Sequence, residues 1–414
     1  MQKKIIGQYI VLSALFSAIG LSLQSAIYVT FLMKNGLSLF EVNMVNTCFF
    51  LTLFACEIPT GAFADIFGRK TAFVFSCALM SLSMFVYGSS DSLSGFILAE
   101  VICAIGVTFR SGAFQAWFVD SLKHTNYTGD LTKIFARENL FCQIGGGLGA
   151  IAGSYLYTFN ATWPWYCGGT GLLVVTIAAQ ITMKENYFKR QKLSWKKGMV
   201  SMRDTVKTSI HYGMNDKAVR FILLITFMQI FAVQALNMYW QPFFKSYGVN
   251  ESSFGFIYAG IMAFVAIGSF LVLRMKSTGR EKSLILRIQI ITGIFVILTV
   301  MFSSLPIILT LFLLHEMTRG MCPPLKDSFL QKRIPSAERA TITSFCAIAP
   351  HIGGVFGLLV SGAIAQYCGI SFAWIVSGIV LIVGALLVKR NGSQAPDTVS
   401  EKNCPMLVVK PIVG

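Results

Sequence analysis

The stretch that decides the fold is a short polar run between two long apolar segments, and it reads Gly61-Ala-Phe-Ala-Asp65-Ile-Phe-Gly68-Arg69-Lys70. The flanking segments, residues 40–60 and 71–88, are each long enough to cross a bilayer as a helix, which takes roughly 20 apolar residues. Glycines permit a tight turn, a carboxylate can accept hydrogen bonds at a helix N-terminus, and a basic pair suits the inner membrane face. The run therefore predicts a loop between two membrane helices.

The whole chain has the composition of a membrane protein. Hydrophobic residues make up 55% of its 414 residues and charged residues only 13%, which excludes a water-soluble domain. Inside lipid the backbone must satisfy its own hydrogen bonds, so the apolar segments are expected to be helices. Twelve spans are predicted, over residues 7–33, 40–60, 71–88, 95–119, 139–159, 165–183, 219–244, 252–273, 284–303, 305–326, 341–365 and 371–388.

Positive charge is unevenly distributed along the chain. With a cytoplasmic N-terminus and twelve crossings, 30 of the 34 Lys and Arg residues lie on the cytoplasmic side. Such a bias follows the positive-inside rule, and it predicts a multi-pass protein of the cell membrane, inner or plasma, with both termini cytoplasmic. The net charge of +16 thus reflects topology, so membrane lipids are expected to surround the protein and no nucleic-acid partner is predicted.

A long polar interruption divides the spans into two sets of six. The predicted organisation is an N-terminal six-helix bundle, a cytoplasmic linker, a C-terminal six-helix bundle and a cytoplasmic tail, over residues 1–183, 184–218, 219–389 and 390–414. The linker is either a solvated loop or an amphipathic helix on the membrane surface. Lys34 and Lys245 are 211 residues apart, as are Gly68-Arg69 and Gly279-Arg280, so the halves repeat as they do in many secondary transporters.

The run from Gly61 to Lys70 resembles the GxxxDxxGRK signature of the major facilitator superfamily, and the topology is similar through the twelfth span. The resemblance implies an all-α integral membrane fold of two pseudo-symmetric six-helix bundles that transports by alternating access. It also implies that Gly61, Asp65, Gly68, Arg69 and Lys70 form a gating motif, which latches the two halves when the protein opens outward. The alternative is a loop that only sets topology.

The fifth span carries a glycine-rich stripe, from Gly145 to Gly153. The stripe resembles the fifth helix of drug and metabolite exporters in this superfamily, although it lacks their Gly-Pro pair. Plain helix packing explains the glycines about as well.

Few ionisable residues lie at membrane depth, where each costs roughly 2.5 kcal/mol or more and usually has a partner or a function. His315, Glu316 and Arg319 share one face of span 10. A carboxylate beside an arginine stays ionised until its partner is displaced, and histidine changes charge near neutral pH. The cluster predicts a proton-coupling site, with Glu57 of span 2 as a further candidate. The alternative is a static ion pair that fixes packing.

Three other ionisable residues are ranked below this cluster. Glu57 and Glu100 lie towards span ends, where they are expected to be partly hydrated. His351 follows Pro350, which indicates a bend rather than a ligand site.

The resemblance places spans 1, 4, 7 and 10 around a central cavity, with Arg110 and Arg319 facing each other. Two arginines favour a solute that carries a carboxylate or phosphate, unless Arg110 pairs with Glu57. Polar and aromatic residues at matching depth complete the predicted substrate site, and these are Gln24, Gln234, Asn237 and Trp240.

The predicted function is secondary active transport of a small solute, by proton-coupled efflux of a drug-like compound or metabolite. The alternative is uptake or exchange of an organic anion, and a membrane-embedded enzyme is a remote third, because no HExxH, GxSxG or paired-carboxylate arrangement occurs. Neither a nucleotide-binding loop nor metal-ligand spacing occurs, so no cofactor and no metal is predicted. The expected partners are the substrate and a proton, and the protein is expected to act as a monomer.

Overall fold

The computed structural model describes residues 2–185, 188, 216–275, 279–333, 346 and 348–391. The predicted linker, residues 184–218, and the predicted tail, residues 390–414, lie almost entirely outside the described residues. Their boundaries, and the surface helix in the linker, stay predictions.

The described residues form twelve helical spans. They are α1 (Gln2–Leu15, Phe16–Ser22 and Tyr28–Lys34), α2 (Leu39–Phe67), α3 (Arg69–Ser89), α4 (Leu93–Arg110 and Ala113–His124), α5 (Leu131–Phe159), α6 (Trp163–Thr182), α7 (Lys217–Ser246), α8 (Glu251–Arg274), α9 (Glu281–Met301), α10 (Leu305–Gln331), α11 (Ile348–Cys368) and α12 (Ile370–Asn391). Among the described residues, eleven helices are long and apolar enough to cross a membrane. The exception is α5, whose five glycines add no apolar side chain although its 29 residues suffice to cross.

Two of the helices are broken near mid-membrane. α1 passes through a π-helical turn over Phe16–Ser22 and resumes as an α-helix only at Tyr28. α4 breaks after Arg110, and Gly112 has a φ of 70°, a conformation open mainly to glycine. Irregular backbone inside a membrane is tolerated where protein buries it or where it lines a cavity, so the breaks mark the region of the site.

The helices form two bundles, α1–α6 and α7–α12, which contact each other through α5 with α8, α2 with α11, and α1 with α7. The internal repeat is visible in the turns between helices. Gly68 between α2 and α3 has a φ of 101°, and Gly279 before α9, which is 211 residues later in sequence, has a φ of 75°. A glycine with positive φ therefore recurs at the equivalent position of both bundles, because glycine adopts such backbone angles without strain.

The bundles are joined by hydrogen bonds at the end of the molecule that bears Lys34 and Lys245, here termed the Lys34 end. The backbone amide and the hydroxyl of Thr30 donate to Gln241 Oε1 at 3.1 and 3.3 Å. Asn43 Nδ2 donates to the Leu358 carbonyl at 2.7 Å. Thr30 and Gln241 are themselves 211 residues apart, so a pseudo-twofold axis passes between α1 and α7.

Close backbone packing completes the closure of the Lys34 end. Gly255 of α8 lies against α5, and a Cβ atom at this position would lie 2.6 Å from the Ala150 carbonyl oxygen. Ser154 Oγ donates to the Ser252 carbonyl across the same contact at 3.2 Å. The Lys34 end is therefore closed, and the opposite end, which bears residues 61–70, is termed the motif end.

Candidate functional site

The α10 cluster forms as the helical spacing predicts. Arg319 Nη2 lies 2.6 Å from Glu316 Oε2, although the angles are not those of a hydrogen bond. His315 Nε2 lies 3.4 Å from Glu316 Oε1, and its Nδ1 contacts the Phe312 carbonyl. Arg319 follows His315 by four residues and Glu316 by three, so it lies on the same helix face as both. The side chain of Glu316 is only 3% exposed, so its carboxylate is shielded from water.

Arg319 also connects α10 with α7, because its Nη1 donates to Asn237 Oδ1 at 2.8 Å. The side chain of Arg319 is 23% exposed, against 3% for Glu316. The guanidinium therefore has a carboxylate and an amide as partners and still reaches open space. A proton taken up by Glu316 would weaken its hold on Arg319, which is the chemistry that a coupling site needs.

Arg110 differs from Arg319 in its surroundings. It ends the first piece of α4, and its guanidinium carbon lies 4.4 Å from the ring centre of Phe16 on α1. Its Nε is buried without a hydrogen-bond partner. Within the part of the chain that the structure describes, Arg110 forms no ion pair, so its charge is balanced only by a cation–π contact.

Glu57 pairs with His351, and the predicted alternative of an Arg110–Glu57 pair is not what the structure has. Glu57 Oε2 lies 3.1 Å from His351 Nε2, and the contact joins α2 to α11 across the bundles. The side chain of Glu57 is 44% exposed, as expected for partial hydration. His351 therefore joins the two bundles, whereas the sequence predicted that it marks a bend. The sequence signal for this pair was one histidine on span 11 and one glutamate on span 2, which lie in opposite halves of the chain.

The remaining predicted substrate residues are dispersed. Gln24 Nε2 donates to the Gly20 carbonyl of its own helix at 2.9 Å, while its Oε1 is buried without a partner. Gln234 is only 3% exposed. Trp240 packs edge-on against Phe254 in an apolar cluster of the second bundle, and its part in substrate binding stays a prediction. Of these residues, Asn237 alone contacts another member of the predicted site.

Among the described residues, the polar contacts of Arg69 and Lys70 in the gating motif are with the first bundle. Arg69 forms an ion pair with Asp120 of α4, and its Nη1 donates to the Ala116 carbonyl at 3.2 Å. Lys70 Nζ donates to the Gln180 carbonyl of α6 at 2.7 Å. These contacts fix the motif end of the first bundle.

The N-terminus of α3 is capped by Glu185, whereas the sequence suggested Asp65 for this role. The backbone amides of Arg69 and Lys70 donate to Glu185 Oε1 and Oε2 at 2.9 and 3.1 Å. Asp65 is exposed, and among the described residues it makes no hydrogen bond or ion pair. A glutamate 115 or 116 residues away can reach this turn only because α6 ends beside it.

Lys326 is the last residue of the predicted span 10, and α10 continues five residues beyond it to Gln331. Its Nζ donates to Gln229 Oε1 at 2.8 Å and to Thr226 Oγ1 at 3.3 Å, both on α7. Lys326 therefore joins α10 to α7 inside the second bundle.

A cleft of about 740 Å³ opens at the Lys34 end, and its lining residues are Thr30, Met33, Lys34, Tyr157, Thr158, Pro242, Lys245, Ser246 and Glu251. None of the predicted substrate residues lines it. The cleft borders the closing contacts, because Thr30 lines it, and neither Arg110 nor Arg319 is among its lining residues. Among the described residues, no group of three or more His, Cys, Asp or Glu side chains could hold a metal ion.

Comparison with known proteins agrees with this architecture. The family model described as Major Facilitator Superfamily matches residues 10–210 and 222–404. An uncharacterized MFS-type transporter of Bacillus subtilis, YxaM, is 25% identical over 374 residues, which cover 88% of this chain and 90% of that protein. The multidrug efflux protein YfmO of the same organism is 22% identical over 354 residues, covering 84% of this chain and 83% of its own.

A solved structure has the same fold. A bacterial homologue of the human lysosomal transporter Spinster, in an inward-facing and unoccupied conformation, superposes with a TM-score of 0.76 at 14% identity. The superposition covers 97% of this chain and 99% of the other. With its helices, its duplicated turns and a family match across both bundles, the chain is a multi-pass membrane protein that belongs to the Major Facilitator Superfamily of transporters.

Proposed function

We propose that this secondary transporter exports a drug-like compound or metabolite in exchange for protons, and that Glu316 is the residue that binds the proton. The observation that carries the proposal is the α10 cluster. A buried carboxylate at membrane depth has one cationic partner, Arg319, at 2.6 Å. Ionisable residues in such places are costly and commonly serve as proton relays.

The contacts of the cluster suggest how a proton is coupled to movement of the bundle. When Glu316 is ionised, it holds Arg319 beside Asn237 of α7. When Glu316 binds a proton, the ion pair is lost and Arg319 is free to change partner. Because Arg319 bridges α10 and α7, the change alters the packing of the two helices that face the predicted cavity.

Two observations support export as the direction. A similar protein, YfmO, is named a multidrug efflux protein. The excess of Lys and Arg at the motif end favours a cytoplasmic position for that end and for both termini. With this orientation in the cell membrane, the closed Lys34 end faces outward, so the predicted cavity would load its solute from the cytoplasm, as the first step of export requires. The gating motif would then form its latch only after the protein reorients.

The test is proton movement driven by solute in proteoliposomes, with cationic drugs, neutral compounds and organic anions as probes. Glu316→Gln should abolish proton flux while leaving solute exchange, and Arg319→Ala should impair both. Glu251→Gln is the matched control, because it removes the same charge from a Lys245–Glu251 pair of the same 2.6 Å length at the Lys34 end. Transport that responds to neither α10 variant nor to a pH gradient would refute proton coupling at Glu316.

The unpaired charge of Arg110 supports a second candidate, exchange of an organic anion. Arg110 has no ion pair among the described residues, and its Nε lacks a partner, so a carboxylate or phosphate would complete its surroundings. In this case Arg110→Gln should remove anion exchange, Arg110→Lys should retain part of it, and a pH gradient should have no effect. Exchange of anions that is equal in all three proteins would refute this role.

A further inference from the structure

A second buried carboxylate lies in the first bundle, on helices that the α10 cluster does not touch. Glu100 of α4 is 7% exposed, although its position near a span end suggested partial hydration. Its carboxylate accepts a hydrogen bond from the Tyr87 hydroxyl of α3. The Tyr28 hydroxyl of α1 lies 3.2 Å from that of Tyr87 and accepts from Asn46 Nδ2 of α2 at 3.0 Å. The resulting chain of hydrogen bonds crosses four helices.

In the described part of the chain, no cation compensates Glu100. α2 and α3 are packed against this part of α4, and the titratable groups that face the carboxylate are Cys48, Tyr87 and Tyr28, with Cys103 on α4 itself. Among the residues that the structure describes, Glu100 has no Lys, Arg or His partner. A buried ionised carboxylate without a cation is unfavourable, and a single neutral hydroxyl offsets little of that cost.

The site is shut off from water by aromatic packing. The Trp165 ring of α6 stacks on Tyr87 with a centroid distance of 4.3 Å, and the Tyr28 ring lies 6.1 Å from Trp165. Phe96 of α4 also stacks on Tyr87, with a centroid distance of 5.8 Å. Water can reach Glu100 only if these helices move apart.

The same helices carry the contacts that close the Lys34 end. Tyr28 begins the last piece of α1, and Thr30, two residues further on, donates to Gln241 of the second bundle. Asn46 lies one helical turn after Asn43, which donates to the Leu358 carbonyl of α11. Opening of the Lys34 end must break the Thr30 and Asn43 contacts, which frees the segments of α1 and α2 that carry Tyr28 and Asn46 to move relative to Glu100.

From this arrangement we propose that Glu100 is a second proton-binding site, which holds a proton while the Lys34 end is closed and releases it when that end opens. On opening, the carboxylic O–H bond breaks and the proton passes to the water that enters. The carboxylate that remains is then hydrated and no longer requires a cation. The site is independent of Glu316, so it stands whether or not the α10 cluster couples transport.

The proposal sets the sign of the pH response. Because the closed state binds one proton more than the open state, closure is favoured as pH falls and opening is favoured as pH rises. For a single linked proton, the ratio of open to closed molecules changes by at most about tenfold per pH unit. Glu100→Gln keeps a hydrogen-bond acceptor for Tyr87 and imitates the protonated group, so it should hold the Lys34 end closed at every pH.

The experiment is hydrogen–deuterium exchange of the full chain in lipid nanodiscs, at one acidic and one alkaline pH. The reporting peptides cover residues 28–46 and 239–258, and each variant is compared with the wild type at the same pH so that intrinsic exchange chemistry cancels. The wild type should exchange faster than Glu100→Gln at alkaline pH and equally fast at acidic pH. Asp91→Asn, an exposed carboxylate at the same end, is the matched control and should behave as the wild type.

Tyr87→Phe provides an independent variant if Glu100→Gln does not fold. It removes the hydrogen bond that Tyr87 donates to Glu100 in the closed state, which destabilises that state, so the Lys34 end should open at a lower pH than in the wild type. Equal exchange in the wild type and Glu100→Gln at alkaline pH would overturn the proposal, as would an unchanged response in Tyr87→Phe.

Discussion

Replacing Gly255 with alanine should force the two bundles apart at the Lys34 end. Gly255 lies in the first turns of α8, and a Cβ atom there would lie 2.3 Å from Ser154 Oγ, 2.5 Å from Ile151 Cα and 2.6 Å from the Ala150 carbonyl oxygen. The serine hydroxyl can rotate away, but the other two atoms belong to the backbone of α5. The helices must therefore separate to admit the methyl group.

The size of the effect follows from the cost of overpacking, which is about 1–3 kcal/mol for a well-packed contact. This cost arises only when the Lys34 end is closed, whereas the gain of about 1 kcal/mol in helix propensity applies to both states and cancels. The ratio of closed to open molecules should therefore fall about 5- to 150-fold, since 1.4 kcal/mol corresponds to a factor of ten.

Spin-label distances across the Lys34 end provide the assay. Labels at Asp91 and Ser303 occupy exposed positions, one on each bundle, in a chain whose ten native cysteines are replaced. Gly255→Ala should add a population at longer distance. Gly147→Ala is the matched control on the same α5–α8 contact, because its Cβ would lie 3.5 Å from Ala259 Cβ, an ordinary contact. An unchanged distance distribution in Gly255→Ala, or an equal shift in the control, would refute the reasoning.

Further variants test the stability of the two bundles by thermal unfolding in detergent. Arg319→Ala leaves the buried Glu316 carboxylate without its cation, so the free energy of unfolding should fall by about 3–5 kcal/mol. Adding Glu316→Gln should restore most of this loss. A double variant as unstable as the single one would contradict the expectation. Glu185→Ala removes the cap from the first two amides of α3, so the free energy of unfolding should fall by about 0.5–2 kcal/mol. Asp65→Asn should leave the melting temperature unchanged. A loss of stability in Asp65→Asn and none in Glu185→Ala would show that Asp65 is the cap.

The sequence predicted the membrane architecture because that architecture depends on local rules. The length of an apolar segment decides whether it can cross a bilayer, and the distribution of Lys and Arg indicates which loops share a side. Both rules act on neighbouring residues, so twelve spans could be placed, most of them to within a few residues. The larger deviations include those of α5, which begins eight residues earlier than predicted, and of α2 and α10, which end seven and five residues later. The grouping of His315, Glu316 and Arg319 was predictable for the same reason, since helical geometry alone brings them together.

Partners from different helices could not be derived in this way. His351 and Glu57 are 294 residues apart, and Lys326 and Gln229 are 97 residues apart. Such contacts exist only after the helices have packed, and many pairings of the same few polar residues are compatible with one apolar pattern. The pairing of Glu57 with His351 left Arg110 without an ion pair among the described residues, which no spacing rule could indicate.

Burial was the other property that only tertiary structure decided. Glu100 stands near the end of its span, where sequence position suggests water, yet the rings of α1, α3 and α6 enclose it. Sequence determines how deep a residue lies along a helix, because depth is counted in residues. Whether the residue meets water, lipid or another side chain depends on how the bundles are closed, and that is a property of the whole fold.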